Sequence, residues 1–236
     1  PAVADLAARD PRLLRVAELF ALEAMAPRLA AFFHARGASP AWTVASCAIE
    51  RVYYRHARHC GVLYRLGFAG PRGATAEEWV FVRMLLPERL AARFAAAAAA
   101  AGAARGAGPL EGAPAVSLWD ELGAVVWIFP EDLKLRGLRA ALDPQGVAAA
   151  IDADAAALGL APAGGGPWRT TAVRFDRVKY MPDKRCVIRV HVDLAGRDGR
   201  VVPATLFSKT YPDARAVSLA AVAGSRMVRS ARSTSN

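Results

Sequence analysis

From Thr43 onward apolar and polar residues alternate in three bursts, TVASCAIERVYYR, HCGVLYRLGF and EEWVFVRMLL, and a second three-burst pattern runs from 175 to 211. Alternation with period two predicts half-buried strands. In the second set CVIRVHV places Cys186, Ile188, Val190 and Val192 on one face, while MPDKR and DLAGRDGR carry the Gly, Pro and Asp of hairpin turns. Each set therefore predicts three antiparallel strands. Sliding the first by 126 residues lays 49–85 on 175–211 without a gap, and eight of the 37 positions are identical. Arg51, Val52, Tyr54, Cys60, Gly70, Gly73 and Phe81 fall on Arg177, Val178, Tyr180, Cys186, Gly196, Gly199 and Phe207, and Arg83 falls on Lys209. An internal duplication is the reading of this pattern.

Helical periodicity fills the rest. Asp10 and Pro11 make a cap and first turn leading into RLLRVAELFALEAM; Pro27 is expected to break or bend it, with a second piece ending at Gly37. His34, alone on that piece, is read as a surface or core histidine. PERLAARFAAAAAAAGAARG predicts an alanine-rich helix, too weakly hydrophobic to span a membrane. Two short strands joined at Asp120 to Gly123 follow, and Val125, Val126 and Trp127 form a run continuous enough to be buried. Pro130 and the pair Asp143 and Pro144 are each expected to start a helix, with Glu131 and Asp132 near the positive end of the first. APAGGGPW reads as a linker. The division expected is a helical segment over 1–40, a sheet-plus-helix unit over 41–160, a linker over 161–167, a second unit over 168–225 and a disordered tail over 226–236. The fold class expected is α+β.

At 236 residues and 54% hydrophobic content the chain is long enough for one large domain or two small ones. The net charge of +10 points to an anionic partner, yet the arginines are scattered, and neither a basic helix nor a stacking-aromatic motif argues for nucleic acid. Heavy use of alanine and arginine is also what a biased codon composition produces. Three dispersed cysteines are too few for a disulfide framework and imply a reducing, cytoplasmic setting. The start at Pro1 and the polar end SRMVRSARSTSN read as a truncated frame.

The residue that stands out chemically is Lys209. It lies in the apolar run ATLFSKTY on the same side as Phe207 and Tyr211, where an ammonium is costly unless an anion meets it. Its bland reading is a lysine snorkelling at a sheet edge. Lys184 and Arg185, in the first turn of the same set, read as phosphate contacts or as a solvated hairpin tip. Cys47, His56, His59 and Cys60 offer nitrogen and sulfur, but their spacing fits no zinc pattern, and Cys60 repeats as Cys186, so a core position is expected and no metal site. His191, Asp193 and Asp198 imitate a kinase catalytic loop from within a strand and hairpin, and are rejected as one. No Ser, His and acid set, Walker loop or dinucleotide fingerprint occurs.

RVKYMPDKRCVIRV and LFSKTY, in the order strand, basic turn, strand, turn, strand with a central lysine, resemble the small N-terminal lobe of the aminoglycoside phosphotransferase-like kinases, a branch of the protein-kinase-like fold. Sugar and maltose kinases of that group add an N-terminal cap on related strands, which the first set resembles. The resemblance implies that Lys209 pairs with the α and β phosphates of ATP, with Lys184 and Arg185 in the loop folded over them. It implies ATP and Mg²⁺ as cofactors of a complete protein, a small-molecule hydroxyl such as a sugar's as acceptor, and no catalytic residue in this chain, since the base and metal ligands belong to a large C-terminal lobe. Three features depart from the family: Phe207 replaces a small residue under the adenine, the only acid after Thr210 is Asp213, and no large lobe follows. The alternatives are a non-catalytic binding or docking module and, with least support, a basic nucleic-acid-binding protein.

Overall fold

The computed structural model describes residues 3–101, 108–155, 157–160, 168–197, 199–212, 218–223 and 226–231. The alternating bursts are strands in it: β1 (Thr43–Arg55), β2 (His59–Ala69) and β3 (Thr75–Leu85), then β6 (Arg169–Met181), β7 (Arg185–Ala195) and β8 (Val201–Thr210). Between and around them run α1 (Val3–Ala8), α2 (Leu22–His34), α3 (Pro87–Ala100), β4 (Val116–Trp119), β5 (Ala124–Ile128) and α4 (Pro144–Asp154), and the last elements are β9 (Ser218–Ala223) and β10 (Arg226–Ala231). The class is α+β with two antiparallel sheets. Each has five strands rather than three, in the orders β1-β2-β3-β5-β4 and β6-β7-β8-β9-β10. The added pairs cover the third strand, whose free edge a three-stranded sheet would leave open.

The chain divides into compact units at Leu133 and Lys134, ahead of the expected linker at 161–167, which lies outside the described residues. Residues 134–160 belong with the second sheet because α4 packs on β6, and Asp152 Oδ1 accepts from both the N–H and the hydroxyl of Thr170 at 2.7 Å. Within the stretch expected as a tail, β10 occupies 226–231.

In the first unit one sheet face, with Cys60, Val62, Tyr64, Leu66, Val80, Val82 and Met84, packs against Leu13, Val16, Leu19, Met25, Leu29 and Phe33. Burying each large aliphatic side chain there stabilises by about 1.5–3 kcal/mol. Tyr64, with no exposed surface, donates its hydroxyl to the Leu19 carbonyl at 2.5 Å, so its polar end is satisfied.

No α-helix starts at Asp10. Its Oδ1 accepts from the N–H of Arg12 and of Leu13 at 2.9 Å, as a cap does, but Oδ2 accepts from the Tyr54 hydroxyl at 2.8 Å and the Ala57 N–H at 2.7 Å. The carboxylate thus fastens the N-terminal segment to the β1–β2 hairpin; a single 3-10 turn (Val16–Phe20) follows, and regular helix begins only at Leu22. Burial by itself would raise the Asp10 carboxyl. The N–H groups of Ala57 and Arg12, the Tyr54 hydroxyl and the Leu13 N–H outweigh it and hold the group at about 2. Pro27 does not end α2. The carbonyl it deprives of a donor is that of Glu23, and both residues are exposed, so the lost bond falls on the solvent side of the helix, where it costs least. The helix expected at Pro130 is absent: 130–139 forms turns closed by Glu131 N to Ile128 O and Leu138 N to Leu135 O, with Gly137 interrupting the helical pattern. Asp143 does cap α4, accepting from the N–H of Gln145 and Gly146.

The two sheets share most of their register under the 126-residue shift. The exception is the inner bulge, which lies between Ile49 and Arg51 in β1 but between Arg177 and Lys179 in β6, so Arg51 pairs with Leu63 but Arg177 with Ile188. Arg55 pairs with His59 as Met181 does with Arg185, and Cys60 pairs with Met84 as Cys186 does with Thr210. The bulge between Val44 and Ser46 recurs between Thr170 and Ala172. Both first turns place a left-handed residue at the same point, Ala57 (φ 51°) and Asp183 (φ 61°), and both second turns place Gly73 (φ 78°) and Gly199 (φ 77°) alike. The same closing bonds recur, Gly70 N to Ala74 O at 2.8 Å and Gly196 N to Arg200 O at 2.9 Å.

Candidate functional site

Along β7 the buried residues are Cys186, Ile188, Val190, Val192 and Leu194, and along β8 they are Leu206, Ser208 and Thr210. Lys209 therefore stands on the opposite, half-exposed face with Phe207 and Tyr211. This corrects the burial expected from the apolar run: the ammonium is half-buried and its desolvation cost correspondingly small. Lys209 lies across from Val187 on β7, and Val187 lies across from Lys179 on β6. Two residues along β7 from Val187, on the same face, is Arg185.

Of the three residues singled out in the sequence, the structure puts Lys209 and Arg185 on one face. Lys184 sits exposed in the turn, its N–H bound to the Met181 carbonyl at 3.0 Å. Lys179 was missed. Its signal was available, because the 126-residue shift sets it against Tyr53, a change from ring to cation between the matched pairs Val52 with Val178 and Tyr54 with Tyr180. Among the described residues Lys179, Arg185 and Lys209 make no ion pair. The acids of this face are engaged elsewhere: Asp176 Oδ2 lies 2.8 Å from His191 Nε2 and 3.9 Å from Arg189, and Asp193 lies 3.7 Å from Arg174. His191 and Asp193 are accordingly strand residues with structural partners, while Asp198 lies outside the described residues.

The same face of the first sheet is filled. A Cβ on Gly61, the counterpart of Val187, would stand 2.6 Å from the Phe81 ring, and Phe81 meets Tyr53 edge-on at 5.9 Å and Trp127 at 5.7 Å. The Arg83 guanidinium lies 5.1 Å from the Phe81 centroid and 6.0 Å from that of Trp127, and Arg93 of α3 lies 5.8 Å from Trp127. In the second unit the next described element after β8 is β9, which pairs with it, and Asp213 lies outside the described residues. The first unit does follow its third strand with a helix, α3, whose Glu88 pairs with Arg12 at 2.5 Å.

Cys60 and Cys186 are both buried core residues, and burial pushes the Cys60 thiol up to about 12, with Asp10 adding to it. Among the described residues no three His, Cys, Asp or Glu side chains gather as a metal site, and no helix is long and apolar enough to cross a membrane. A groove of about 400 Å³ lies wholly within the first unit, between α2 and the turn after β4. Its Arg36 is committed to the carbonyls of Phe32 and Leu118, and its Arg28 to Glu18. Compared with protein-family models, curated proteins and solved structures, the chain matches none.

Proposed function

We propose that this chain supplies the nucleotide-holding part of an ATP-dependent phosphotransferase acting on a small-molecule hydroxyl, with Lys209 as the phosphate anchor. The observation that carries the reading is the contrast between the copies. Arg83 is stacked among Phe81 and Trp127, whereas Lys209, at the matching position, meets no carboxylate among the described residues and shares its half-exposed face with Arg185 and Lys179. A phosphate oxygen about 4 Å from an ammonium at such a partly screened site is worth on the order of a few kcal/mol before desolvation is counted. These cations fit the phosphates of ATP. They do not fit Mg²⁺: the face's acids, Asp176 and Asp193, are held by Arg189, His191 and Arg174, so no step through the metal is assigned to these residues. The resemblance to the kinase lobe supports the reading through RVKYMPDKRCVIRV and LFSKTY, and through the strand order around Lys209.

Calorimetric titration of the chain with ATP tests it. Lys209→Met is expected to weaken binding at least tenfold with an unchanged melting curve, and Arg83→Met to leave affinity within twofold. Equal affinity of Lys209→Met and the parent chain defeats the assignment. Joined to a lobe that carries a base and metal ligands, Lys209→Met would abolish transfer.

A further inference from the structure

We infer that the open face of the second sheet is an oligophosphate site of three cations, Lys179, Arg185 and Lys209, which holds its ligand by the phosphate chain and not by the base. The inference rests on the nucleotide reading of Lys209 and names what that site recognises.

Placement comes from the register. Lys179, Val187 and Lys209 form one cross-strand row, so the two lysine Cα atoms stand about 10 Å apart, with Arg185 about 7 Å along β7 from the middle of the row. Three long cationic side chains thus surround a single valine. Like charges so placed repel one another, and among the described residues no carboxylate pairs with any of the three. Of the acids that share the face, Asp176 stands one step along, across from Arg189, and is occupied by Arg189 and His191, while Asp193 lies farther off and is occupied by Arg174. A ligand carrying several negative charges in a short chain matches this arrangement; a single phosphate reaches one corner of it.

The base is excluded by a different contact. Of the two aromatic residues on the Lys209 side, Phe207 has the Arg189 guanidinium 5.7 Å from its ring centroid, occupying one face on which a purine would stack, and Tyr211 lies beyond the last residue of β8 that pairs with β7. In the first copy the positions of Lys179, Arg185 and Lys209 are Tyr53, His59 and Arg83, and Gly61 lets the Phe81 ring close over the row. The copies therefore diverge toward a packed face in one and an open cationic face in the other.

The test is titration of the chain at about 50 mM salt, where surface charge is weakly screened, with inorganic tripolyphosphate, ATP and adenosine. Tripolyphosphate and ATP are expected to bind within about threefold of each other, and adenosine not at all. Lys179→Met should weaken both ligands about tenfold, while Arg174→Met, which removes a charge from the far end of the face, changes them less than twofold. ATP binding with tripolyphosphate more than tenfold weaker, or Lys179→Met without effect, overturns this inference and leaves the nucleotide reading standing. Tripolyphosphate binding without ATP binding keeps the site and removes the nucleotide. No binding of either removes both, and equal losses in Lys179→Met and Arg174→Met reduce the effect to net charge and overturn the site.

Discussion

Replacing Asp10 by Asn tests whether one buried carboxylate fastens the N-terminal segment to the first sheet. The Asp10 side chain has no exposed surface, and its two oxygens accept four hydrogen bonds. Asn keeps Oδ1 for Arg12 and Leu13 but turns an amide N–H₂ toward the Ala57 N–H, setting two donors face to face at a part-buried position. Leaving that donor unsatisfied and losing charge-assisted bonds costs about 3 kcal/mol. The carboxyl's descent from 3.8 in the unfolded chain to about 2 in the folded one corresponds to roughly 2 kcal/mol of pH-dependent stability. Because the folded value is the lower one, that contribution is complete above about pH 4 to 5 and fades as the pH falls toward 2. Urea unfolding followed by tryptophan fluorescence reads the first unit, which holds Trp42, Trp79, Trp119 and Trp127 out of five tryptophans. At pH 7 Asp10→Asn should be about 3 kcal/mol less stable than the parent. By pH 2 the gap should shrink to about 1, since the parent has lost what the variant never had. Glu18, held low first by its bond to Arg15 and then by Arg28, titrates in both proteins and cancels in the difference. A gap that stays constant from pH 7 to pH 2 refutes the reasoning.

Two further substitutions probe packing. Tyr64→Phe removes the donor to the Leu19 carbonyl inside the core and is expected to cost about 1–2 kcal/mol in the same unfolding assay, with no change in ATP affinity. Gly61→Val drives a side chain into the Phe81 ring and should cost about 1–3 kcal/mol; a variant as stable as the parent would show that the aromatic row moves freely.

Strand positions and most of their register were legible because period-two alternation and turn residues act locally, so a shift of the sequence by 126 predicts which residues pair except around the inner bulge of β6. What was illegible depends on partners far along the chain. Asp10 looks like a helix cap because nothing in its neighbourhood reveals Tyr54 and Ala57, which determine where the segment goes. Pro27 looks like a breaker because exposure of the Glu23 carbonyl, which makes the proline tolerable, is decided by what covers the other side of α2. At the candidate site Lys209 was visible as a cation in an apolar run, but its face was misjudged: the run around it is apolar on both sides, and only the buried Leu206, Ser208 and Thr210 show which side packs. Lys179 was legible only through its match to Tyr53, because the bulge between Arg177 and Lys179 puts it out of step with the earlier outward residues of β6.

The pairing of Gly61 with the Phe81 ring also bears on how the chain avoids tangling with itself. Two hairpins of matching length and turn, and nearly matching register, within one polypeptide invite an exchange in which a strand from one sheet is taken up by the other. Were β7 to dock where β2 belongs, Val187 would arrive under the Phe81 ring, where even a single Cβ stands only 2.6 Å away. A missing side chain on one strand thus acts as a lock against the wrong twin, at a point where Tyr53 with Gly61 and Lys179 with Val187 pair alike.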